Sequence, residues 1–187
     1  MSISRVFALV LGLVLLAFGQ GGPAVALAQD ATPAAEAGAA DPAVGTEVPY
    51  LDENGEEIAV LTVRELTDPF DDLAEGSAPE EGSRYVAVEI AVRATGETIE
   101  PEPFDFGLQT ADGFFFSRAS VTREISSSDV PDLETIPVDI DDEVSGLVFF
   151  QIPADAEPSR LLWQPETGRL LVLAEFDTTE PGTLARR

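Results

Sequence analysis

Apolar side chains recur at every second position through much of the chain. Within residues 85–92, Val86, Val88, Ile90 and Val92 lie on one side, and the residues between them lie on the other. Successive side chains of a β-strand point to opposite faces, so this alternation predicts a strand with one buried and one solvated face. Similar segments, rich in β-branched and apolar residues, predict further strands at 48–51, 58–65, 147–152, 161–163 and 170–176.

A second alternating segment ends in a turn. Phe104, Phe106 and Leu108 are spaced by two, which predicts that all three face the core. The dipeptide Asp112-Gly113 follows, with apolar residues on both sides, and is the strongest local indication of a β-hairpin. Additional turns are predicted at Asn54-Gly55 and at residues 165–168.

No segment after the N-terminal region has the period of an amphipathic helix. Residues 67–83 and 124–143 are rich in turn formers and acids, which predicts surface loops, the second with at most a short edge strand. Seven or eight short strands punctuated by turns predict an all-β fold. We expect an immunoglobulin-like antiparallel β-sandwich at 45–176, with a small barrel as the alternative.

The N-terminal residues have the features of a secretory signal peptide. Arg5 precedes an uninterrupted apolar run at 6–18, which is too short to span a bilayer, and Ala26-Leu27-Ala28 then supplies a small-x-small cleavage pattern. We therefore predict a signal peptide at 1–28 and a secreted or extracytoplasmic location after cleavage near Ala28. An uncleaved membrane anchor is the alternative.

Two further segments lack a pattern that could form part of a core. Residues 29–44 are rich in Ala and contain Pro33, Gly38 and Pro42, which predicts a flexible spacer. Residues 177–187 have no apolar period either and are predicted to be a loose tail.

The composition excludes several chemistries. The 187 residues include no Cys, no His and no Lys, because all ten basic residues are Arg. Catalytic triads based on His, zinc sites made of thiolate or imidazole, disulfides and lysine Schiff bases are therefore excluded. No cofactor is predicted.

The chain is strongly acidic, with 35 Asp and Glu residues and a net charge of −25. Removal of residues 1–28 would take away Arg5 and leave −26. Such a charge repels nucleic acid phosphates and anionic membrane surfaces, so neither is an expected partner. The scattered arginines are expected to pair with neighbouring acids.

The order of several motifs resembles one known family. Arg84–Ile90 is similar to a long central strand that follows an acidic loop, and Pro103–Phe106 with Leu108 to a phenylalanine-containing strand. Asp112-Gly113 is similar to the hairpin that comes next. Ser145–Pro153 and Leu161–Trp163 are similar to a closing strand pair. Together these motifs resemble the secreted bacterial immunoglobulin-like family often called telokin-like, which includes a mycobacterial secreted immunogenic protein.

The resemblance covers residues 45–176 and departs from the usual family pattern at the acidic stretch 139–143. It implies a β-sandwich in an extracytoplasmic setting. It implies no activity and no catalytic residues, since fold alone does not define function.

Two groups of residues are candidates for a site. Asp139, Asp141, Asp142 and Glu143 could share a hard cation such as Ca²⁺, although a solvated loop is the alternative interpretation and no EF-hand spacing is present. Phe115 lies in a run of three phenylalanines. If Phe114 and Phe116 face the core, Phe115 faces outward, and the reverse also fits the alternation. An outward Phe115 beside Tyr85 or Trp163 could form a partner patch, and the alternative interpretation is that a loop or the second sheet covers it. Trp163 itself is expected to anchor the core.

The sequence therefore favours a secreted, non-enzymatic binding or structural module whose ligand is an unknown protein or cell-surface partner. The first alternative is an extracellular calcium-binding domain. A carboxylate-only hydrolase is the second, because paired acids are the only catalytic groups the chain could use. The oligomeric state is left open.

Overall fold

The structure is a computed structural model, and it describes residues 41–123, 129–166 and 168–176. These residues form eight β-strands and one short 3-10 helix, Pro103–Asp105. The strands are β1 Glu47–Leu51, β2 Glu57–Thr67, β3 Ser83–Ala94, β4 Phe106–Thr110, β5 Phe115–Ala119, β6 Glu143–Pro153, β7 Pro158–Glu166 and β8 Arg169–Glu175. All pairings between them are antiparallel. The predicted all-β fold is confirmed.

The strands form two layers. The strands are hydrogen-bonded in the order β1-β2-β3-β6-β5-β4-β7-β8. The first sheet contains β1, β2, β3 and β6, and the second contains β4, β7 and β8. Strand β5 belongs to both, because Phe115–Ser117 pair with β4 whereas Arg118 and Ala119 pair with β6. This change of sheet joins the two layers along one edge of the sandwich.

The first described residues join the layers at the opposite edge. The backbone N–H of Glu175 in β8 donates to the carbonyl of Pro42 at 2.7 Å, and Ala43 forms a parallel bridge with the same residue. Gly45 N–H then donates to Val63 in β2. The folded part therefore includes Pro42 and Ala43, which the sequence analysis assigned to the spacer. The predicted signal peptide, the rest of the spacer and the tail at 177–187 lie outside the described residues.

The inner faces of the two sheets form the main core. Its largest side chain is Trp163, which is 2% exposed and stacks on Phe106 with ring centroids 6.0 Å apart, while Tyr50 meets its edge at 4.9 Å. Trp163 is thus the core anchor that the sequence predicts. The alternating residues of β3 also contribute to this core: Val86, Val88, Ile90 and Val92.

The outer face of β3 is not solvated, contrary to the sequence prediction. Tyr85 and Ala87 are 8% and 1% exposed because a second hydrophobic cluster covers them. Phe70, from the loop after β2, packs against Phe149 of β6 with ring centroids 5.1 Å apart. The prediction failed because it treated the 67–83 loop as entirely polar, although that loop supplies Phe70 and Leu73 to this cluster.

The segment before β6 also contributes a side chain to the main core. Leu133 N–H donates to the carbonyl of Leu147 at 3.0 Å, and Leu147 N–H donates to Pro131 at 2.8 Å. This pairing inserts Leu133 into the main core, where it is 3% exposed. Within residues 129–142 the structure has isolated bridges at Asp132 and Val138 in place of the short edge strand that the sequence allowed, and residues 124–128 lie outside the described part.

Phe104 was expected in the core and is instead 71% exposed. It belongs to the 3-10 helix Pro103–Asp105, and β4 begins only at Phe106. The alternation that buries Phe106 and Leu108 does not extend back into the helix, because a helical turn does not place every second side chain on one face. Phe104 instead lies under the guanidinium of Arg118, 4.7 Å from the ring centroid.

Candidate functional site

The β4–β5 hairpin is held by a network at its tip. Gly113 has a φ of 89°, and its N–H donates to the carbonyl of Thr110 at 2.9 Å. Thr110 N–H in turn donates to Phe114 O, also at 2.9 Å. The Thr110 hydroxyl lies within hydrogen-bonding distance of both the Asp112 carboxylate and Phe114 O, so its proton serves one acceptor at a time. The Asp112-Gly113 hairpin is thus confirmed and rigidly closed.

The three phenylalanines of this hairpin point in different directions. Phe116 lies opposite Leu108 and packs against the main core. Phe115 is 55% exposed on the outer face of the second sheet, as the alternation allows. Phe114 is 65% exposed, which the sequence analysis did not identify. It precedes β5 and belongs to the turn, so the alternation of the strand does not fix its direction.

Phe115 does not meet either aromatic residue with which it was expected to form a patch. Tyr85 and Trp163 are both buried in the two hydrophobic clusters. The Phe115 ring instead lies directly above Gly107 of β4, where any β-carbon would collide with it. Gly107 is paired with Ser117 and Leu162 on its two sides. An aromatic ring across a strand glycine fixes the ring while leaving its other side open to solvent.

The turn between β6 and β7 lies beside the hairpin. Ala111 N–H donates to the carbonyl of Glu157 at 2.8 Å and so joins the two turns. Arg84 holds the β6–β7 turn from within, since its two terminal nitrogens donate to the carbonyls of Pro153, Ala154 and Ala156 at 2.8–2.9 Å. The same guanidinium forms a bidentate pair with the carboxylate of Asp68.

Arg84 and Asp68 form an ion pair at this end of the sandwich. The hydrogen bonds that Arg84 donates to the Asp68 carboxylate raise the pKa of the guanidinium above its ordinary value, and burial opposes this shift. Asp155 and Glu157 also raise it through their charges. Arg84 is therefore a fixed cation with its donors already engaged by Asp68 and the turn.

A depression of about 420 Å³ lies between the two turns. Its apolar lining comes from both sides, and three carboxylates surround it. The lining residues are Ala111, Asp112, Phe114, Phe116, Pro153, Asp155, Ala156 and Glu157. We call this depression together with Phe114 and Phe115 the hairpin-end surface.

The arginines are engaged elsewhere. In the described ranges, each arginine except Arg118 pairs with an acid, as the sequence predicts, and Arg118 lies over Phe104. The acidic partners are Glu89 and Glu143 for Arg64, Asp68 for Arg84, Glu47 for Arg93, Asp132 for Arg123, Asp41 and Glu175 for Arg160, and Glu166 for Arg169.

The acidic stretch before β6 does not converge on a common point. The Asp139 carboxylate accepts a hydrogen bond from Thr98 at 3.2 Å, and Glu143 forms an ion pair with Arg64. Asp141 adopts a left-handed φ of 70°, and its backbone N–H donates to Ala94. Asp142 closes the turn through its own backbone, with N–H donating to Asp139 O. Among the residues that the structure describes, no three carboxylates are grouped as a metal site would require.

A hydrolase would require a carboxyl of raised pKa in a concave site. Burial raises the pKa of the Asp105 carboxyl, and the charge of Glu102 adds to this shift. Asp105 ends the 3-10 helix and does not line the depression. No helix within the described ranges is long and apolar enough to cross a membrane.

Comparison with known proteins identifies the fold and gives no named family. No family model matches the chain, and no curated protein does. The secreted protein MPT63 of Mycobacterium tuberculosis has a similar structure, with a TM-score of 0.53 and 16% sequence identity over 73% of this chain and 99% of that one. At this identity the likeness shows a shared β-sandwich.

Two other solved structures are similar at lower TM-scores. A candidate lipoprotein of Bacillus subtilis has a TM-score of 0.49 and 18% identity, covering 71% of this chain and 39% of that one. A β-sandwich protein of Clostridium difficile has a TM-score of 0.41 and 12% identity, covering 71% and 93%.

Proposed function

We propose that this chain is a secreted, non-enzymatic immunoglobulin-like module of the telokin-like type, which binds a protein partner through the hairpin-end surface. The observation that carries the proposal is the exposed Phe114 ring, which lines the depression, while Phe115 at the next position is exposed on the outer face of the second sheet. Partner-binding surfaces are rich in large aromatic residues that are left uncovered in the free protein.

The rigidity of the hairpin supports this role. The tip is closed by hydrogen bonds of Thr110, and Ala111 ties it to the β6–β7 turn. The Phe115 ring is fixed above Gly107. Aromatic side chains that are already fixed lose little conformational entropy when a partner covers them, so more of the contact energy is available for affinity.

Secretion is supported by the sequence at 1–28, with its short positive region, apolar run and Ala-Leu-Ala motif. Likeness in fold to a secreted mycobacterial protein agrees with it. Mass spectrometry of the exported product should find an N-terminus at Gln29. A cell-associated product that retains Met1 would contradict this part of the proposal.

A non-enzymatic role is supported by the composition, which lacks His, Cys and Lys. The calcium and hydrolase alternatives gain no support from the geometry of the acids, because Asp139 and Glu143 are engaged by Thr98 and Arg64. Titration of the exported protein with Ca²⁺ should raise the Tm no more than Mg²⁺ at equal ionic strength. A saturable shift specific to Ca²⁺ and lost in Asp141→Asn would restore the calcium alternative.

The binding surface can be tested by site-specific photocrosslinking. The full chain is expressed in its own organism with benzoylphenylalanine at position 114, and in a second strain at Ile140, which is also exposed at 51% but lies on another loop. We expect a discrete crosslinked protein from position 114 alone, competed by excess unlabelled wild type but not by Phe114→Ser. No crosslink at 114, or the same product from both positions, would contradict the proposal.

A further inference from the structure

We infer that the hairpin-end surface recognises an arginine side chain in a basic segment of its protein partner. The guanidinium would lie over the Phe114 ring, within reach of the carboxylates of Asp112, Asp155 and Glu157. This inference rests on the proposed function and names the chemistry of the partner.

The depression carries negative charge that the described arginines do not pair with. Asp112, Asp155 and Glu157 surround it, and no ion pair joins any of them to an arginine in the part of the chain that the structure describes. The cation whose pKa responds to Asp155 and Glu157 is Arg84, but its donors are occupied by Asp68 and three turn carbonyls. The site is therefore complementary to an additional cation.

The apolar lining selects the kind of cation. Phe114, Phe116, Pro153 and Ala156 offer carbon surface to the stem of a long side chain. A volume of about 420 Å³ lies within the range of small-ligand sites and can take one long side chain. Inorganic cations, which are strongly hydrated, gain nothing from such a lining.

The protein already uses this interaction in three other places. Arg118 lies 4.7 Å from the ring centroid of Phe104, Arg123 lies 5.6 Å from that of Phe149, and Arg169 lies 4.4 Å from that of Tyr50. In the described ranges, the strongly exposed Phe114 ring has no such cation. A planar guanidinium can stack on the ring and bind carboxylates at its edge, which a lysine ammonium cannot do to the same degree.

Charge also decides between a different protein and a second copy of this chain. Two copies, each with a net charge of about −26 after export, would repel each other as their hairpin-end surfaces approached. A basic segment would be attracted over several ångströms before contact. The occupant is therefore a basic partner.

The probe for this inference is a fluorescent peptide of eight residues that contains two arginines and no acid, compared with the same peptide carrying citrulline. Citrulline keeps the shape of arginine and removes its charge. Affinities for the exported protein are measured by fluorescence anisotropy at 150 mM NaCl. Three variants are compared with the wild type: Phe114→Ala, the pair Asp155→Asn with Glu157→Gln, and the pair Glu97→Gln with Glu100→Gln.

The control pair removes the same charge from another exposed place, so it separates a local site from diffuse attraction. We expect saturable binding of the arginine peptide, weakened roughly fivefold by the Asp155 and Glu157 pair and by Phe114→Ala, given the strength of exposed ion pairs and cation–π contacts. The control pair should change the affinity by less than about twofold. The citrulline peptide should bind at least about fivefold more weakly than the arginine peptide.

The inference is overturned if both acid pairs weaken binding equally, if Phe114→Ala has no effect, or if citrulline binds as well as arginine. Failure here with a specific crosslink from position 114 would leave the proposed function intact and change only the chemistry of the partner. Absence of that crosslink would instead contradict the proposed function itself.

Discussion

The outer faces of the two sheets differ in how far loops cover them. On the first sheet, Tyr85, Ala87 and Phe149 point away from the main core, yet loops cover them, and Phe70 and Leu73 complete a second hydrophobic cluster. On the second sheet, Phe115 stays 55% exposed, and Phe114 at the end of the same hairpin is 65% exposed. Both faces carry aromatic residues, but within the described residues only the face of the first sheet is covered by loops.

Under the proposed function, this difference separates residues of the same type into those that stabilise the fold and those that would contact a partner. A phenylalanine under a loop stabilises the fold because folding removes its surface from water. An exposed phenylalanine gains that free energy only when a partner covers it. The contrast between Phe149 and Phe114 can therefore be measured as opposite effects on stability and on binding.

Truncation of the two phenylalanines should give the largest difference. Phe149→Ala removes a ring packed between Phe70 and the Arg123 guanidinium, and should lower the free energy of unfolding by about 3–5 kcal/mol. Phe114→Ala should change it by less than about 0.5 kcal/mol, because its ring is mostly solvated. Urea unfolding followed by Trp163 fluorescence measures both. Equal costs would show that the two faces do not differ.

Arg84 connects the two regions, so its loss should affect both. It binds Asp68 at the start of the covering loop and the carbonyls of the β6–β7 turn, which forms one wall of the depression. Arg84→Ala should cost about 2–3 kcal/mol, since three backbone carbonyls and the Asp68 carboxylate lose a charged donor. It should also weaken peptide binding.

Arg64→Ala is the matched control for Arg84. Arg64 is 41% exposed and pairs with Glu89 and Glu143, and exposed ion pairs contribute little. Its loss should cost less than about 1 kcal/mol. A similar cost for both variants would refute the linking role of Arg84.

The period of two accounts for much that the sequence predicts correctly. It predicts the inward set of β3, and together with the apolar runs and turn dipeptides it predicts seven or eight strands, of which the structure has eight, and the hairpin at Asp112-Gly113. The period of two does not predict whether a loop covers the outer face of a sheet, because that depends on where a distant loop places Phe70. It also fails where a strand has not yet begun, as at Phe104 and Phe114.

The candidate site shows the same limit. Phe115 could be predicted as outward-facing from alternation within one strand. The depression could not, because it joins the β4–β5 hairpin to a turn about 40 residues later in the chain through Ala111 and Glu157. Nothing in the local sequence of either turn indicates this proximity.

A double-mutant cycle tests whether the Phe115 ring is held above Gly107 on the outer face of the second sheet. Gly107→Ala introduces a methyl group where the Phe115 ring lies, and should cost about 1–2 kcal/mol. In a Phe115→Ala background the same change should cost close to zero, a coupling of about 1–2 kcal/mol. In a Phe114→Ala background its cost should be unchanged. Thermal unfolding of the six proteins measures the cycle, and additivity of Gly107 and Phe115 would show that the ring is not fixed there.

The smallest expected effect is the pH dependence of stability that arises from Asp105 in the 3-10 helix. Burial raises the pKa of Asp105, so its ionised form is disfavoured in the folded state. The favourable contribution of the protonated form is complete below the ordinary value of 3.8 and is lost as the pH rises through the higher folded pKa. Asp105→Asn should therefore raise the Tm at pH 7, by an amount equivalent to less than about 1 kcal/mol because the group is partly solvated. The gain should disappear below the ordinary pKa, and a gain that persists there would contradict this assignment.

The most direct measurement of the central claim is the change in backbone amide shifts when the arginine peptide is added to the ¹⁵N-labelled exported protein. We expect the shifts to concentrate at residues 111–116 and 153–157, and those of Tyr85 and Ala87 under the covering loop to stay unchanged. The citrulline peptide should change these backbone amide shifts very little. Shifts spread over all the acidic loops, or concentrated on the covered face, would contradict the account.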